Sequence, residues 1–101
     1  MAETPTVVMN EQTHRFEVTA EGQTAFAEYR LKDGVLTLPH TVVPEALGGR
    51  GIAGALAEAA LSYARAKGLL VKPTCPFIAS YIDRHPEWRD VLHPDFRPVQ
   101  D

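Results

Sequence analysis

Cysteine is nearly missing from this sequence: Cys75 stands alone among 101 residues. One thiol cannot close an intrachain disulfide or build a Cys-rich zinc site, and a reducing, cytoplasmic setting fits that usage. The four histidines show no His-x-x-x-His spacing, so no metal is expected. No apolar run approaches the roughly 18 residues of a spanning helix, and no membrane association is expected. The stretch Met1-Ala2-Glu3-Thr4-Pro5 lacks a basic start followed by apolar residues, so no signal peptide is expected. A basic excess is missing too. The formal net charge is -3, which disfavours nucleic acid as a partner. There are no repeats and no low-complexity tract. What is present is a globular balance, 45% hydrophobic and 23% charged. The length suits one domain with its own core. We expect a single domain over 1–101, with the core over about 7–92 and an irregular C-terminal tail.

Along the chain, Val7–Asn10 is a candidate strand, and Arg15–Val18 alternates polar and apolar residues as a half-buried strand does. Glu21-Gly22 reads as a tight turn. Gln23–Leu31 resumes the alternation with Ala25, Ala27, Tyr29 and Leu31 on one face. Lys32-Asp33-Gly34 is a hairpin signal, because Asp-Gly tolerates positive φ. Val35–Val43 is the next strand. Pro39 within it cannot donate to a ladder, so a bulge or a break in pairing is expected there.

The pattern then changes period. Ile52, Leu56, Ala59, Ala60 and Tyr63 share one helical face, which predicts a helix over Gly51–Lys67 with Gly68 as its left-handed stop. Leu69–Val71 reads as a short buried strand. Pro76–His85 reads as a second helix closed by Pro86. The strand–helix–strand portion from Val35 to Val71 is a crossover and predicts a parallel or splayed pair. The expected class is α+β: a central, mostly antiparallel sheet, one splayed parallel pair and two main helices.

Four glycines, Gly48, Gly49, Gly51 and Gly54, fall within seven residues where the strand gives way to the first long helix. Glycine permits unusual φ and close approach of backbone to a ligand. The free N–H groups of a helix's first turn, with the positive end of its dipole, suit a diphosphate. Arg50 adds a fixed charge beside them. The same glycines also fit a plain turn, and Gly54 fits close packing of the helix on the sheet. Gly49, Gly51 and Gly54 spell G-x-G-x-x-G, the dinucleotide fingerprint. That motif also needs an acidic residue about 20 positions on, and Gly68 to Tyr81 contains none. No Walker sequence is present.

The string Val43-Pro44-Glu45-Ala46-Leu47-Gly48-Gly49-Arg50-Gly51-Ile52-Ala53 resembles the acetyl-CoA pyrophosphate loop of GNAT acetyltransferases. The match starts at Gly48 and continues with Gly51 and Ala53, and its one departure is Gly48 itself, which stands where the family has Gln or Arg. The string Thr74-Cys75-Pro76-Phe77-Ile78 through Arg84-His85-Pro86-Glu87 resembles the short stand-alone members of that family. The resemblance implies a minimal GNAT fold, acetyl-CoA as co-substrate, an amine acceptor of unknown identity, and a monomer or weak dimer. It implies cofactor contacts from Gly48, Gly49, Arg50, Gly51, Ile52, Ala53 and Cys75. It adds the splayed strand, with Leu38, His40, Thr41, Val42 and Val43.

Three residues are candidates for the chemistry. Thr74-Cys75-Pro76 reads as a helix start, where a thiol's pKa falls and its thiolate fraction rises. Cys75 is suspected as a nucleophile in the short relatives, and it fits equally as a small buried apolar residue. Tyr81 resembles the tyrosine that protonates the departing thiolate in larger members, but Phe77, Ile78, Tyr81 and Ile82 also make a packing stripe. His40, on the splayed strand, is a candidate base. His85 belongs to the family-like string and is explained equally well by capping the end of the second helix, and Glu28 carries a weak signal for the cleft. Trp88 reads as an anchor for the tail. The leading expectation is N-acetyl transfer; the alternative is a non-catalytic module that binds or senses acyl-CoA.

Overall fold

A computed structural model describes residues 6–96. Five strands form one sheet in the order of the chain: β1 (Val8–Asn10), β2 (Arg15–Ala20), β3 (Gln23–Lys32), β4 (Val35–Val42) and β5 (Leu70–Lys72). The first four pair antiparallel and the last pair is parallel. Helix α1 (Ile52–Lys67) makes the crossover between β4 and β5, and α2 (Pro76–Arg84) follows. Both hairpins turn where the sequence predicts. Glu21 and Asp33 take positive φ, each followed by a glycine with positive φ.

The helices cover one face of the sheet. Phe16 and Val18 from β2, Ala25, Ala27 and Tyr29 from β3, and Leu36 and Leu38 from β4 are buried beneath them. The buried stripe of α1 is Ile52, Leu56, Ala57, Ala60, Leu61 and Ala64. It is turned slightly from the expected face, and Ala59 and Tyr63 lie at its flank, half-buried. Burying a leucine such as Leu56 contributes about 1.5–3 kcal/mol, so this stripe fixes the helix on the sheet. Leu31 reaches past the helical cover and is exposed.

Pro39 does what a proline in a strand must do. Glu28 pairs with His40 but Arg30 pairs with Thr37, so Leu38 and Pro39 together oppose Tyr29 in a bulge. An extra residue reverses which face each later side chain takes. Before the bulge, the even-numbered Leu36 and Leu38 face the helices. After it, Thr41 pairs with buried Ala27 and faces the helices, while His40 and Val42 pair with Glu28 and Phe26 on the open face.

β5 reaches only to Lys72, opposite Thr37. Past that point no described strand lines the outer side of β4, which leaves the splay expected of the parallel pair. The segment after α2 departs from the irregular tail expected. Pro86–Val91 and Pro94–Phe96 are 3₁₀ turns, and Trp88, Val91 and Leu92 are buried. Residues three apart eclipse in a 3₁₀ turn, which puts Trp88 and Val91 on one inward side. Arg65 of α1 lies 4.2 Å over the Trp88 ring and also bonds Asp90. The expected lead before residue 6 and the tail beyond residue 96, Pro98 included, lie outside the described residues.

Candidate active site

The glycine-rich loop is built by backbone conformation more than by side chains. Glu45–Leu47 makes a 3₁₀ turn with Leu47 buried, and the Gly48 N–H donates to the Glu45 carbonyl at 3.0 Å. Gly49 and Gly51 have φ of 76° and 74°, and a Cβ at either would meet nothing within 4 Å. Glycine is needed there for the left-handed backbone, and the space beside it is open. Gly51 is the N-cap of α1, and no side chain caps that end. The first-turn amides, which every helix leaves without an internal partner, therefore receive no side-chain oxygen from the cap position. Gly54 has a different reason. A Cβ there would sit 3.7 Å from the Tyr81 ring, so it marks the contact of α1 with α2 and not with the sheet.

A groove of about 580 Å³ runs between this loop and α2. The loop side is Gly48, Gly49, Gly51, Ile52 and Ala53, with Val43 at the end of the strand. The far wall is Phe77, Tyr81, Arg84 and His85. Phe77, Tyr81 and His85 recur every four residues along α2 and its C-cap, a spacing visible in the sequence that marks one helical face. Arg84 was not singled out by that reading; only its place three residues after Tyr81 puts it on the same wall. His85 stacks on Tyr81 with centroids 4.0 Å apart, and its Nδ1 lies 2.8 Å from the Tyr81 carbonyl, to which it donates.

Arg50 is directed elsewhere. Its guanidinium pairs with Glu21 in the β2–β3 turn, and it does not line the groove. Leu38 is fully buried, and its carbonyl accepts the N–H of Cys75 at 2.9 Å. That bond ties the start of α2 to β4.

Cys75 is the N-cap of α2, with Pro76 at the first helical position. It is 5% exposed, and its Sγ lies 3.5 Å from the Thr41 hydroxyl. Burial pushes the thiol's pKa up. The Thr41 hydroxyl and the backbone N–H groups of Ile78, Phe77 and Thr41 outweigh that and hold it below the ordinary cysteine value. Thr41 reaches the thiol because the Pro39 bulge turned it to the helical side. Cys75 is not among the groove's lining residues; its neighbours Phe77, two residues on, and Val43, two beyond Thr41, are.

Tyr81 and His40 are not gathered at the thiol. Burial, then the Glu58 and Glu87 carboxylates, raise the Tyr81 pKa and keep its phenol protonated; the Trp88 indole N–H, which donates to its oxygen, and Arg84 oppose them. His40 is exposed on the opposite face of the sheet, paired across β3–β4 with Glu28. Val42 shares that face and is 45% exposed. Among the described residues, no three His, Cys, Asp or Glu side chains converge as metal ligands, and no helix is long and apolar enough to cross a membrane.

Three comparisons bear on this arrangement. The family model of the GCN5-related N-acetyltransferases matches residues 15–91. The proteins called NATD1 from Gallus gallus and Mus musculus are each 42% identical over 52 residues, 52% of this chain and 47% of theirs. The human NATD1 is also 42% identical over 52 residues, 52% of this chain and 46% of its own. The chain thus spans about half the length of the curated relatives it matches. A GCN5-like protein from Staphylococcus aureus, solved by NMR in solution, superposes with a TM-score of 0.69 at 25% identity, covering 87% of both chains.

Proposed function

Since the chain belongs to the GCN5-related N-acetyltransferase family, we propose that it binds acetyl-CoA in the groove beside the glycine loop and passes the acetyl group to an amine. The groove carries this reading: its floor is a helix start without a side-chain cap, reached through left-handed glycines with open space around them. Aligned first-turn amides and the positive helix end attract a diphosphate there. Gly48, Gly49, Gly51, Ile52 and Ala53 approach it with backbone. The pantetheine arm lies along the unpaired side of β4, from Val43 toward Thr41.

At the end of that path, Cys75 is the acceptor of the acetyl group. Its thiolate attacks the thioester carbonyl, a carbon–sulfur bond to Sγ forms, and the bond to the coenzyme sulfur breaks. One thioester replaces another, so the step is close to even in energy. The departing thiolate takes a proton from solvent, and the acetyl group is left on Cys75. An amine then attacks the acetyl carbon, a carbon–nitrogen bond forms, and the Cys75 thiolate is released. The amine reaches the gap from the open face of the sheet, where His40 beside Glu28 accepts its proton. The lowered thiol pKa favours both the attack and the release.

The test is calorimetry with acetyl-CoA, followed by coenzyme-thiol release across a panel of small amines and lysine-rich proteins. Heat of binding with thiol release establishes transfer. Binding with no release from any amine favours a module that only holds acyl-CoA. No heat and no shift in melting temperature with acetyl-CoA would remove both readings.

A further inference from the structure

The far wall of the groove carries one charge that the transfer chemistry does not use. Arg84, on the last turn of α2, lines the cavity opposite the glycine loop. Its Nε donates to the Ser80 carbonyl at 3.4 Å, and it makes no ion pair with any described carboxylate. The rest of its guanidinium fork is directed to no described partner. The other cation expected at this site, Arg50, is held by Glu21 and does not line the groove. His85 beside it has its Nδ1 committed to the Tyr81 carbonyl and its ring stacked on Tyr81. One permanent positive charge therefore faces the groove, separated from the diphosphate cradle by the groove's width.

We infer that Arg84 is the receptor for a second, separate phosphate of the ligand, the 3′-phosphate on the ribose of coenzyme A, and so selects it over nucleotides that lack that group. The inference rests on the coenzyme A reading above. A guanidinium matches a phosphate's geometry with paired N–H donors, and its charge does not titrate at working pH. The Glu45 carboxylate also lines the groove and repels phosphate generally, but it sits on the loop side with the diphosphate. Its repulsion does not distinguish ligands with and without the ribose phosphate as Arg84 does.

The test is calorimetry on the full chain with coenzyme A and with 3′-dephospho-coenzyme A. The unaltered protein binds coenzyme A about tenfold tighter, the effect of one charge-assisted contact at a partly exposed site. In Arg84→Gln that ratio falls to about one, while affinity for the dephospho form stays within about twofold, which also shows that the variant is folded. Arg84→Lys keeps an intermediate ratio, because the charge remains and the paired donors do not. Equal affinity of the unaltered protein for the two ligands, or a preference that survives in Arg84→Gln, overturns the inference and leaves the coenzyme A reading standing. Failure of both ligands to bind the unaltered protein overturns the two together.

Discussion

Cys75 and Thr41, thirty-four residues apart in the chain, meet with sulfur and hydroxyl 3.5 Å apart where β4 loses its outer neighbour. The contact exists because an extra residue at Pro39 reversed the strand's facing. It joins the one thiol of the protein to the end of β4, beyond the last residue that β5 pairs.

The thiol's reactivity with pH reports that contact. A lowered pKa means that thiolate appears at lower pH, so the rate of alkylation by iodoacetamide rises with a midpoint below that of an ordinary cysteine. Thr41→Val removes the hydroxyl that stabilises the thiolate, and the midpoint moves up. A midpoint in Thr41→Val equal to that of the unaltered protein would show that the hydroxyl has no part in setting the pKa.

Removal of the thiol separates binding from transfer. Cys75→Ala is expected to bind acetyl-CoA with unchanged heat and affinity within about threefold, and to release coenzyme thiol at least about a hundredfold more slowly, as loss of a covalent nucleophile implies. Unchanged turnover takes Cys75 out of the chemistry and leaves direct attack by the amine.

Tyr81→Phe tests whether the groove-wall tyrosine takes part in the chemistry. Its ring packs against Gly54 and His85 and it is not gathered at the thiol, so kcat is expected to stay within about threefold. A loss of about a hundredfold in kcat with KM nearly constant, the mark of an interaction made in the transition state alone, would make Tyr81 the proton donor.

Two glycines of the loop should respond in opposite ways. Gly51→Ala forces a Cβ into left-handed backbone at φ 74° and costs about 1 kcal/mol, with weaker acetyl-CoA binding besides. Gly54→Ala puts a methyl at ordinary contact, 3.7 Å from Tyr81, inside a helix where glycine is unfavourable. It should gain about 0.5–1 kcal/mol, a rise of about 2–8 °C in melting temperature for a domain of this size. Thermal melts monitored by circular dichroism check both signs.

The Arg50–Glu21 pair holds a cation away from the groove. It is exposed on both sides, so breaking it costs little stability, about 0–1 kcal/mol. Glu21→Gln frees Arg50 and removes a negative charge, and acetyl-CoA binds more tightly by about two- to fivefold at low salt. If the gain is as large in Glu21→Gln with Arg50→Ala as in Glu21→Gln alone, Arg50 is not its source.

Much of this protein was legible residue by residue. Alternation marked β2 through β4, Asp33-Gly34 marked a hairpin, the apolar spacing from Ile52 marked α1, and Pro76 marked the start of α2. These are local signals, set by side-chain period and backbone preference within a few residues, so they survive without knowledge of the fold. Gly48, Gly49 and Gly51, ahead of α1, likewise announced a loop shaped by backbone conformation more than by side chains. Other features were legible only in part. Pro39 announced a bulge but not which side chains it would turn. The tail's Trp88 announced an anchor but not the two 3₁₀ turns.

What the tertiary structure alone decided are relations between distant residues. His40 and Thr41 are neighbours in sequence, yet the bulge sends one to the open face and the other to the thiol. Arg50 sits inside the glycine loop, yet Glu21, in a turn of the sheet, takes its charge. Arg84 reads as an ordinary helix-end cation until α2 packs against Gly54 and brings it to the groove. The physical reason is common to all three. Period and propensity act over one or two turns of chain, whereas the facing of a side chain and the partner of a charge depend on which elements pack together and in what register.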